Sequence, residues 1–256
     1  MRASAAQTRF ARQARSLDGG VFERAEARGK HLFHHWRDGS IVHVHLGMFG
    51  DFYRFPAPAP APRPTVRLRL ATEQVTWDLI GPPTCELISR KEHRAILDRL
   101  GPDPISSRAG ERPFLERLRR TNRPIGHALL DQRVVAGVGN IYRAEILFLT
   151  GVHPLRPASS LSELELRSLW SAIRRLLKRG ARADGIRTIE REERVAAGRD
   201  RRFYAYRQEA CLRCGSRIAS LPLSGRTMFT CEECQPRTSR KRHPSRRKFR
   251  GTIPTL

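Results

Sequence analysis

The stretch RPIGHALLDQRVVAGVGNIYRAEILF, residues 123–148, decides the fold of this chain. It predicts two apolar helices, IGHALLDQ and IYRAEILFL, joined by the turn Gly137-Val138-Gly139-Asn140. Glycines let a backbone approach a ligand closely, and Asn140 is a natural N-cap for the second helix. The free N–H groups at such a helix start can bind an anion. Ordinary helix capping explains the same turn and is the more common arrangement.

The pattern changes on either side of this block. Strands are predicted over 21–55, with an Asp38-Gly39 turn, and over 65–80, where TVRLRLAT alternates apolar residues with arginines. A helix is predicted over 89–100 and begins with a capping box, because Glu92 follows Ser89 by three residues. The helix over 161–180 has the clearest apolar stripe in the chain.

Charge is the most unusual property of the composition. The 256 residues carry 49 lysines and arginines against 25 acidic residues, a formal net charge of +24. Such an excess favours a polyanionic partner, most simply nucleic acid, with an acidic membrane surface or a ribosome as alternatives. No apolar run is long enough to span a bilayer, which excludes an integral membrane protein.

Four of the five cysteines form two C-x2-C pairs, Cys211/Cys214 and Cys231/Cys234, separated by sixteen residues. Two such pairs can place four thiolates around one tetrahedral zinc ion, and the span between them suits two strands with a Ser224-Gly225 turn. Four protein ligands leave no open position, so the predicted zinc is structural. The cysteines also indicate a reducing compartment, and Cys85 is interpreted as a small buried apolar residue.

Read together, these motifs resemble the formamidopyrimidine-DNA glycosylase/endonuclease VIII family, in particular its actinobacterial endonuclease VIII-like branch. The resemblance rests on Arg28-Gly29-Lys30, HLGMFG (45–50), the block 123–148 and the four-cysteine ribbon with Gly225-Arg226-Thr227. It implies an α+β fold with a β-sandwich-like N-terminal domain, a helix-two-turn-helix domain and a zinc β-hairpin. The expected boundaries are 1–105 for the β-rich domain, 106–205 for the helical DNA-binding domain, 206–236 for the zinc hairpin and 237–256 for a disordered basic tail.

The resemblance also implies roles for particular residues. Lys30 and Arg226 would contact the phosphates at the lesion as part of the catalytic site, and Asn140 would hold the DNA backbone. Met48 and Phe49 would fill the gap left by a flipped base. Without the resemblance, Lys30 is interpreted as a solvated strand lysine and Met48-Phe49 as a core pair.

The family attacks the sugar C1′ with the amine of an N-terminal proline, followed by a glutamate that transfers protons. Arg2 and Ala3 stand at those positions here, and the sequence resembles the family from just after its first helix. We expect about 25 family residues to be missing at the front. Either the true start lies upstream and restores Pro-Glu, or the chain is truncated and has lost its nucleophile. Lys30 as a substitute amine is disfavoured, because nothing in its sequence neighbourhood indicates a depressed pKa.

The implied function is base-excision repair by a DNA glycosylase/AP lyase acting on oxidised bases or abasic sites. It implies a monomer that binds double-stranded damaged DNA, one structural Zn²⁺ and a bacterial, cytoplasmic, nucleoid-associated location. One alternative is a damaged-DNA-binding protein without catalysis. A zinc-ribbon RNA-binding or ribosome-associated protein is another, supported only by the charge and the cysteines.

Overall fold

The computed structural model describes residues 1–106, 110–183, 185–193 and 200–237. The predicted basic tail lies outside these residues except at its first position. The strands are β1 (Arg2–Ser4), β2 (Phe22–Arg28), β3 (His31–Trp36), β4 (Ile41–His45), β5 (Asp51–Pro56), β6 (Val66–Ala71), β7 (Val75–Ile80), β8 (Thr84–Ile88), β9 (Ala219–Leu223) and β10 (Arg226–Thr230). The helices are α1 (Thr8–Leu17), α2 (Arg90–Arg99), α3 (Arg112–Arg119), α4 (Ile125–Ala128), α5 (Asn140–Thr150) and α6 (Glu163–Gly180).

Two antiparallel four-stranded sheets form the N-terminal β-sandwich. One has the strand order β1-β6-β7-β5 and the other β2-β3-β4-β8. The alternation predicted for TVRLRLAT is confirmed, since Val66, Leu68 and Leu70 are buried. Leu68 and Leu70 pack with Val42 and Val44 of the second sheet, so the core lies between the two sheets.

Helix α1 lies in residues 1–17, where no element is predicted from the sequence. Its buried residues are Phe10, Ala14 and Leu17, which follow one another at i, i+4 and i+7. These three side chains join the core of the β-sandwich and therefore close one side of it.

The helical region forms a second core, centred on α5 and α6. The predicted helix over 161–180 is confirmed as α6, which begins with a capping box between Ser162 and Glu165. The predicted capping box of α2 is also present, with Ser89 and Glu92 bonded reciprocally. Met228 of β10 is fully buried in this helical core, which fixes the β9–β10 hairpin against the helices.

The β9–β10 hairpin turns at Ser224-Gly225, as predicted. Both residues have positive φ, 60° and 68°, as in a two-residue hairpin turn. Among the described residues, no helix combines the length and the apolar character that crossing a membrane requires.

Candidate nucleic-acid interface

The four predicted metal ligands come together at the base of the β9–β10 hairpin. The Sγ atoms of Cys211 and Cys234 are 3.8 Å apart and those of Cys214 and Cys231 are 3.5 Å apart. All four lie within 4.8 Å of one another. A tetrahedral ion with metal–sulfur bonds of about 2.3 Å needs its thiolates about 3.8 Å apart. The cluster can therefore hold one metal ion, with four thiolates as its ligands.

Cys85 takes no part in this cluster. It packs beside the β-sandwich core, and burial raises the pKa of its thiol to about 12. This agrees with its interpretation as a small apolar residue.

The tip of the β2–β3 hairpin carries Lys30 to the start of α5. Gly29 has φ +57°, and a Cβ atom there would meet Ala136 Cβ and Gly137 N at 2.9 Å. Glycine is therefore required for this close approach. The Lys30 Nζ atom donates a hydrogen bond to the Val138 carbonyl at 2.7 Å, directly before the helix start.

The environment of Lys30 corrects the sequence-based expectation of an ordinary lysine. Burial, and secondly the positive charge of Arg226, lower the pKa of its amine to about 8. The residues responsible are distant in sequence, so no local pattern could have indicated the shift. The partly buried Lys30 amine thus lies near a second, exposed cation, an arrangement that favours an anion able to neutralise both.

Asn140 is not the N-cap that the sequence predicts. Gly139 occupies the cap position with an extended backbone, and Asn140 is the first residue of α5. Its side chain instead donates a hydrogen bond from Nδ2 to the Thr227 carbonyl at 3.0 Å. Asn140 therefore joins the start of α5 to the tip of the zinc hairpin.

Arg143 completes this junction and was missed by sequence reasoning. It is fully buried, and its guanidinium donates hydrogen bonds to the carbonyls of Gly126 and Leu223 at 3.1 and 3.2 Å and to the Asn140 side chain. Burial, and secondly Arg226, lower its pKa to about 10, so it stays charged at neutral pH. An arginine on an apolar helix resembles a surface residue in sequence, because its acceptors are up to 80 residues away.

Arg226 is exposed at the start of β10 and lines an open cleft with Lys30. The cleft has a volume of about 350 Å³ and is lined by Lys30, His127, Leu130, Asp131, Ser224 and Arg226. His127 and Ser224 are linked across it by a side-chain hydrogen bond of 2.7 Å. The structure therefore brings Lys30, Asn140 and Arg226 together around the helix start.

Met48 and Phe49 lie on the turn between β4 and β5, where they are 75% and 83% exposed. Such exposure excludes the alternative interpretation as a core pair. The turn follows His45, whose pKa is lowered by burial and then by the charge of nearby Lys30. The two exposed apolar side chains thus project from the same edge of the sheet as Lys30.

Glu145 is a buried anchor that sequence reasoning also missed. Its carboxylate accepts hydrogen bonds at 2.8 Å from the backbone N–H groups of Tyr204, Ala205 and Tyr206, and another from the Thr188 hydroxyl. These partners lie on the segment that leads into the zinc hairpin. Glu145 therefore holds the segment before the hairpin against α5.

This combination of a β-sandwich, a helix-two-turn-helix block and a four-cysteine hairpin defines a class of DNA-repair proteins. Residues 2–80 match the formamidopyrimidine-DNA glycosylase N-terminal domain and residues 100–191 match the formamidopyrimidine-DNA glycosylase H2TH domain. The chain belongs to the formamidopyrimidine-DNA glycosylase/endonuclease VIII family.

Its relatives include both branches of the family. The chain is 41% identical to Endonuclease 8 1 of Mycobacterium tuberculosis over 242 residues, which are 91% of this chain and 90% of the relative. It is 33% identical to the formamidopyrimidine-DNA glycosylase of Synechococcus sp. over 75% of this chain and 72% of the relative. The solved complex of Lactococcus lactis Fpg with abasic-site DNA has a TM-score of 0.77 and 25% identity, covering 92% of this chain and 91% of that one.

Proposed function

We propose that this chain acts in base-excision repair as a DNA glycosylase/AP lyase on oxidised bases or abasic sites in double-stranded DNA. It would work as a monomer with one structural Zn²⁺ in the bacterial cytoplasm, associated with the nucleoid. The observation that carries this proposal is that Lys30, Asn140 and Arg226 meet at the start of α5, where Lys30 and Arg226 line an open cleft. Family membership and the relatives' names support the reaction class.

The cleft is suited to the phosphate backbone beside a damaged nucleotide. Lys30 uses one N–H for the Val138 carbonyl, which leaves two ammonium protons for a phosphate. Arg226 can offer a two-pronged contact to phosphate oxygens. The α5 N-terminus adds the positive end of its dipole to the same place.

The exposed Met48-Phe49 turn is suited to the gap that a flipped base leaves. An apolar side chain inserted between base pairs replaces part of the lost stacking. Two large apolar residues exposed to water carry a cost that contact with DNA would remove. The turn and the phosphate-binding cleft lie at one edge of the molecule, as a flipped nucleotide requires.

The proposed reaction replaces the bond from the sugar C1′ to the base by a bond to an amine. The base leaves, a Schiff base forms, and elimination then breaks the 3′ phosphate ester. In the family the amine belongs to the proline of the Pro-Glu pair. The residues described here would bind and orient the DNA for this step.

A second candidate function, damaged-DNA binding without catalysis, is favoured by the structure of β1. Arg2 and Ala3 pair with β6, Ala3 is buried, and the Met1 amine donates a hydrogen bond to the Gly20 carbonyl at 2.9 Å. The Met1 amine is therefore bonded to a residue that does not line the cleft.

Borohydride trapping on an abasic-site duplex distinguishes the two functions. The test compares the chain of 256 residues with a form extended upstream by its in-frame genomic codons. A covalent adduct with the extended form supports the lyase. If neither form gives an adduct while both bind abasic DNA, the binding function replaces the proposed one.

A further inference from the structure

A cluster of histidines lies on the outer face of the sheet β2-β3-β4-β8, away from the sandwich core. Five of the nine histidines share this face or the helix α2 that covers it. The ring of His93 from α2 packs edge-on against Phe33 of β3 with centroids 4.5 Å apart. The five are His31, His35, His43, His45 and His93.

Three donor atoms converge within this cluster. Glu26 of β2 lies with its Oε2 atom 3.1 Å from Nε2 of His35 and 3.7 Å from Nε2 of His93. All the ligand atoms of these three residues lie within 4.8 Å of one another. A tetrahedral ion with bonds of about 2.0–2.2 Å needs its donors roughly 3.3–3.6 Å apart. Small side-chain movements would bring the three atoms to that geometry.

His93 supplies an independent indication of a missing ligand. Its Nε2 atom is buried and has no hydrogen-bond partner among the described residues, a condition that is rare in folded proteins. A neutral imidazole at this position has a lone pair free for a metal. Burial raises the pKa of Glu26, but hydrogen bonds from Arg24, Arg28 and His35 outweigh it, so the group is a carboxylate.

A cation already approaches this cluster. Arg24 places Nη1 3.2 Å from Glu26 Oε2 and Nη2 3.4 Å from His35 Nδ1, although its side chain is 55% exposed. Arg28 binds the other carboxylate oxygen at 3.1 Å. The arrangement is that of a carboxylate held in orientation by Arg28, while an exposed guanidinium binds the carboxylate oxygen that a metal would use.

We propose that Glu26, His35 and His93 form a second metal site, separate from the four cysteines, for a divalent d-block ion such as Zn²⁺. Two imidazoles and one carboxylate are a ligand set that zinc accepts, with one position left for water. The ion displaces Arg24 from Glu26 and His35. It ties α2 to the β2–β3 hairpin, whose tip carries Lys30, and this role does not depend on the proposed repair reaction.

Zinc titration of the folded protein, with its cysteine site already loaded, tests the proposal. We expect a second equivalent to bind the wild type. The changes H93Q and E26Q should weaken it by at least about tenfold, since each removes one of three ligands. The matched control H45Q lies on the same face outside the triad and should bind like the wild type. With Co²⁺, the second equivalent should add no thiolate charge-transfer band.

Arg24 provides a variant that leaves the buried residues intact. R24Q removes the competing guanidinium and should bind the second zinc several-fold more tightly. The proposal is overturned if the wild type binds only the cysteine-site equivalent, or if H93Q and E26Q bind like the control. Should H93Q fail to fold, R24Q decides: binding no tighter than the wild type contradicts the site.

Discussion

Lys30 is positioned by residues that are far from it in sequence. The Val138 carbonyl accepts its hydrogen bond and Arg226 acts on its pKa, although they lie more than 100 residues away. A protonated amine in such surroundings binds an anion strongly, because the anion neutralises the repulsion between the two cations. Burial, and secondly this repulsion, lower the pKa of Lys30 to about 8, so its charge state changes with pH in that range.

We predict that DNA affinity falls as the pH rises above about 8. The bound phosphate requires the ammonium form, and the pKa of Lys30 is lowered to about 8, so above that pH binding must take up a proton. The expected loss is up to about tenfold per pH unit. K30R stays charged throughout and should show a flatter profile between pH 7 and 9. Identical profiles for the two proteins, measured by fluorescence anisotropy, would contradict this account of Lys30.

Met48 and Phe49 allow a test of the proposed apolar wedge, that is, the insertion of these two side chains into the gap left by a flipped base. The double change M48S/F49S should weaken binding to an abasic-site duplex by about tenfold, in line with the loss of one or two stacking contacts. Thermal unfolding should be unchanged, because both side chains are exposed. A matched change of another exposed apolar residue, L164S, should leave both properties unaltered. Normal binding by the double variant would remove the wedge from the proposal.

At the scale of elements, Glu145 of α5 positions the zinc hairpin. E145Q replaces one accepting oxygen by an N–H₂ group that faces backbone donors, so several of its four hydrogen bonds are lost. Leaving these buried donors unsatisfied costs about 1–3 kcal/mol each. We expect faster amide hydrogen exchange in 203–206 and in β9–β10, and weaker DNA binding. An exchange pattern like that of the wild type would show that other contacts hold the hairpin. The control is E116Q, which changes a partly exposed carboxylate on α3.

Several elements could be predicted because their signals are local. The β6 alternation, the capping box of α2, the apolar stripe of α6 and the Ser224-Gly225 turn each lie within one short segment. The spacing of the cysteines likewise specified the four-thiol cluster. In each case a periodicity or a turn requirement determines the structure without help from distant residues.

The remaining features depend on contacts distant in sequence. Helix α1 has only three buried residues among many arginines, so its apolar face becomes clear only against the two sheets. Arg143 and Glu145 are fully buried charges on an apolar helix. The carbonyls that Arg143 binds lie 17 and 80 residues away, and the partners of Glu145 lie 43–61 residues away. The prediction of Asn140 as the N-cap was wrong because its side chain forms hydrogen bonds with the Thr227 carbonyl and with Arg143 instead.

For the whole molecule, the hydrophobic cores are separate and differ in what stabilises them. The sandwich core and the helical core contain large apolar clusters, whereas the small third cluster includes Cys211 and Cys231 themselves. Removal of the metal should therefore unfold the hairpin and leave the sandwich intact. We expect chelation to abolish DNA binding while the near-UV signal of Trp36 and amide protection in β2–β4 persist. Loss of protection throughout the chain would show that the cores are coupled.

The net charge of +24 gives the whole molecule affinity for any polyanion. Affinity for DNA alone therefore does not show that the protein recognises damage. The central claim is that Lys30, Asn140 and Arg226, around the start of α5, recognise damaged DNA. The direct measurement is the ratio of dissociation constants for an undamaged duplex and a duplex with an abasic-site analogue, at one fixed salt concentration. We predict a ratio of at least about tenfold, reduced towards one by R226Q. Equal affinity for abasic DNA, undamaged DNA and RNA would contradict the claim and favour a general RNA-binding protein.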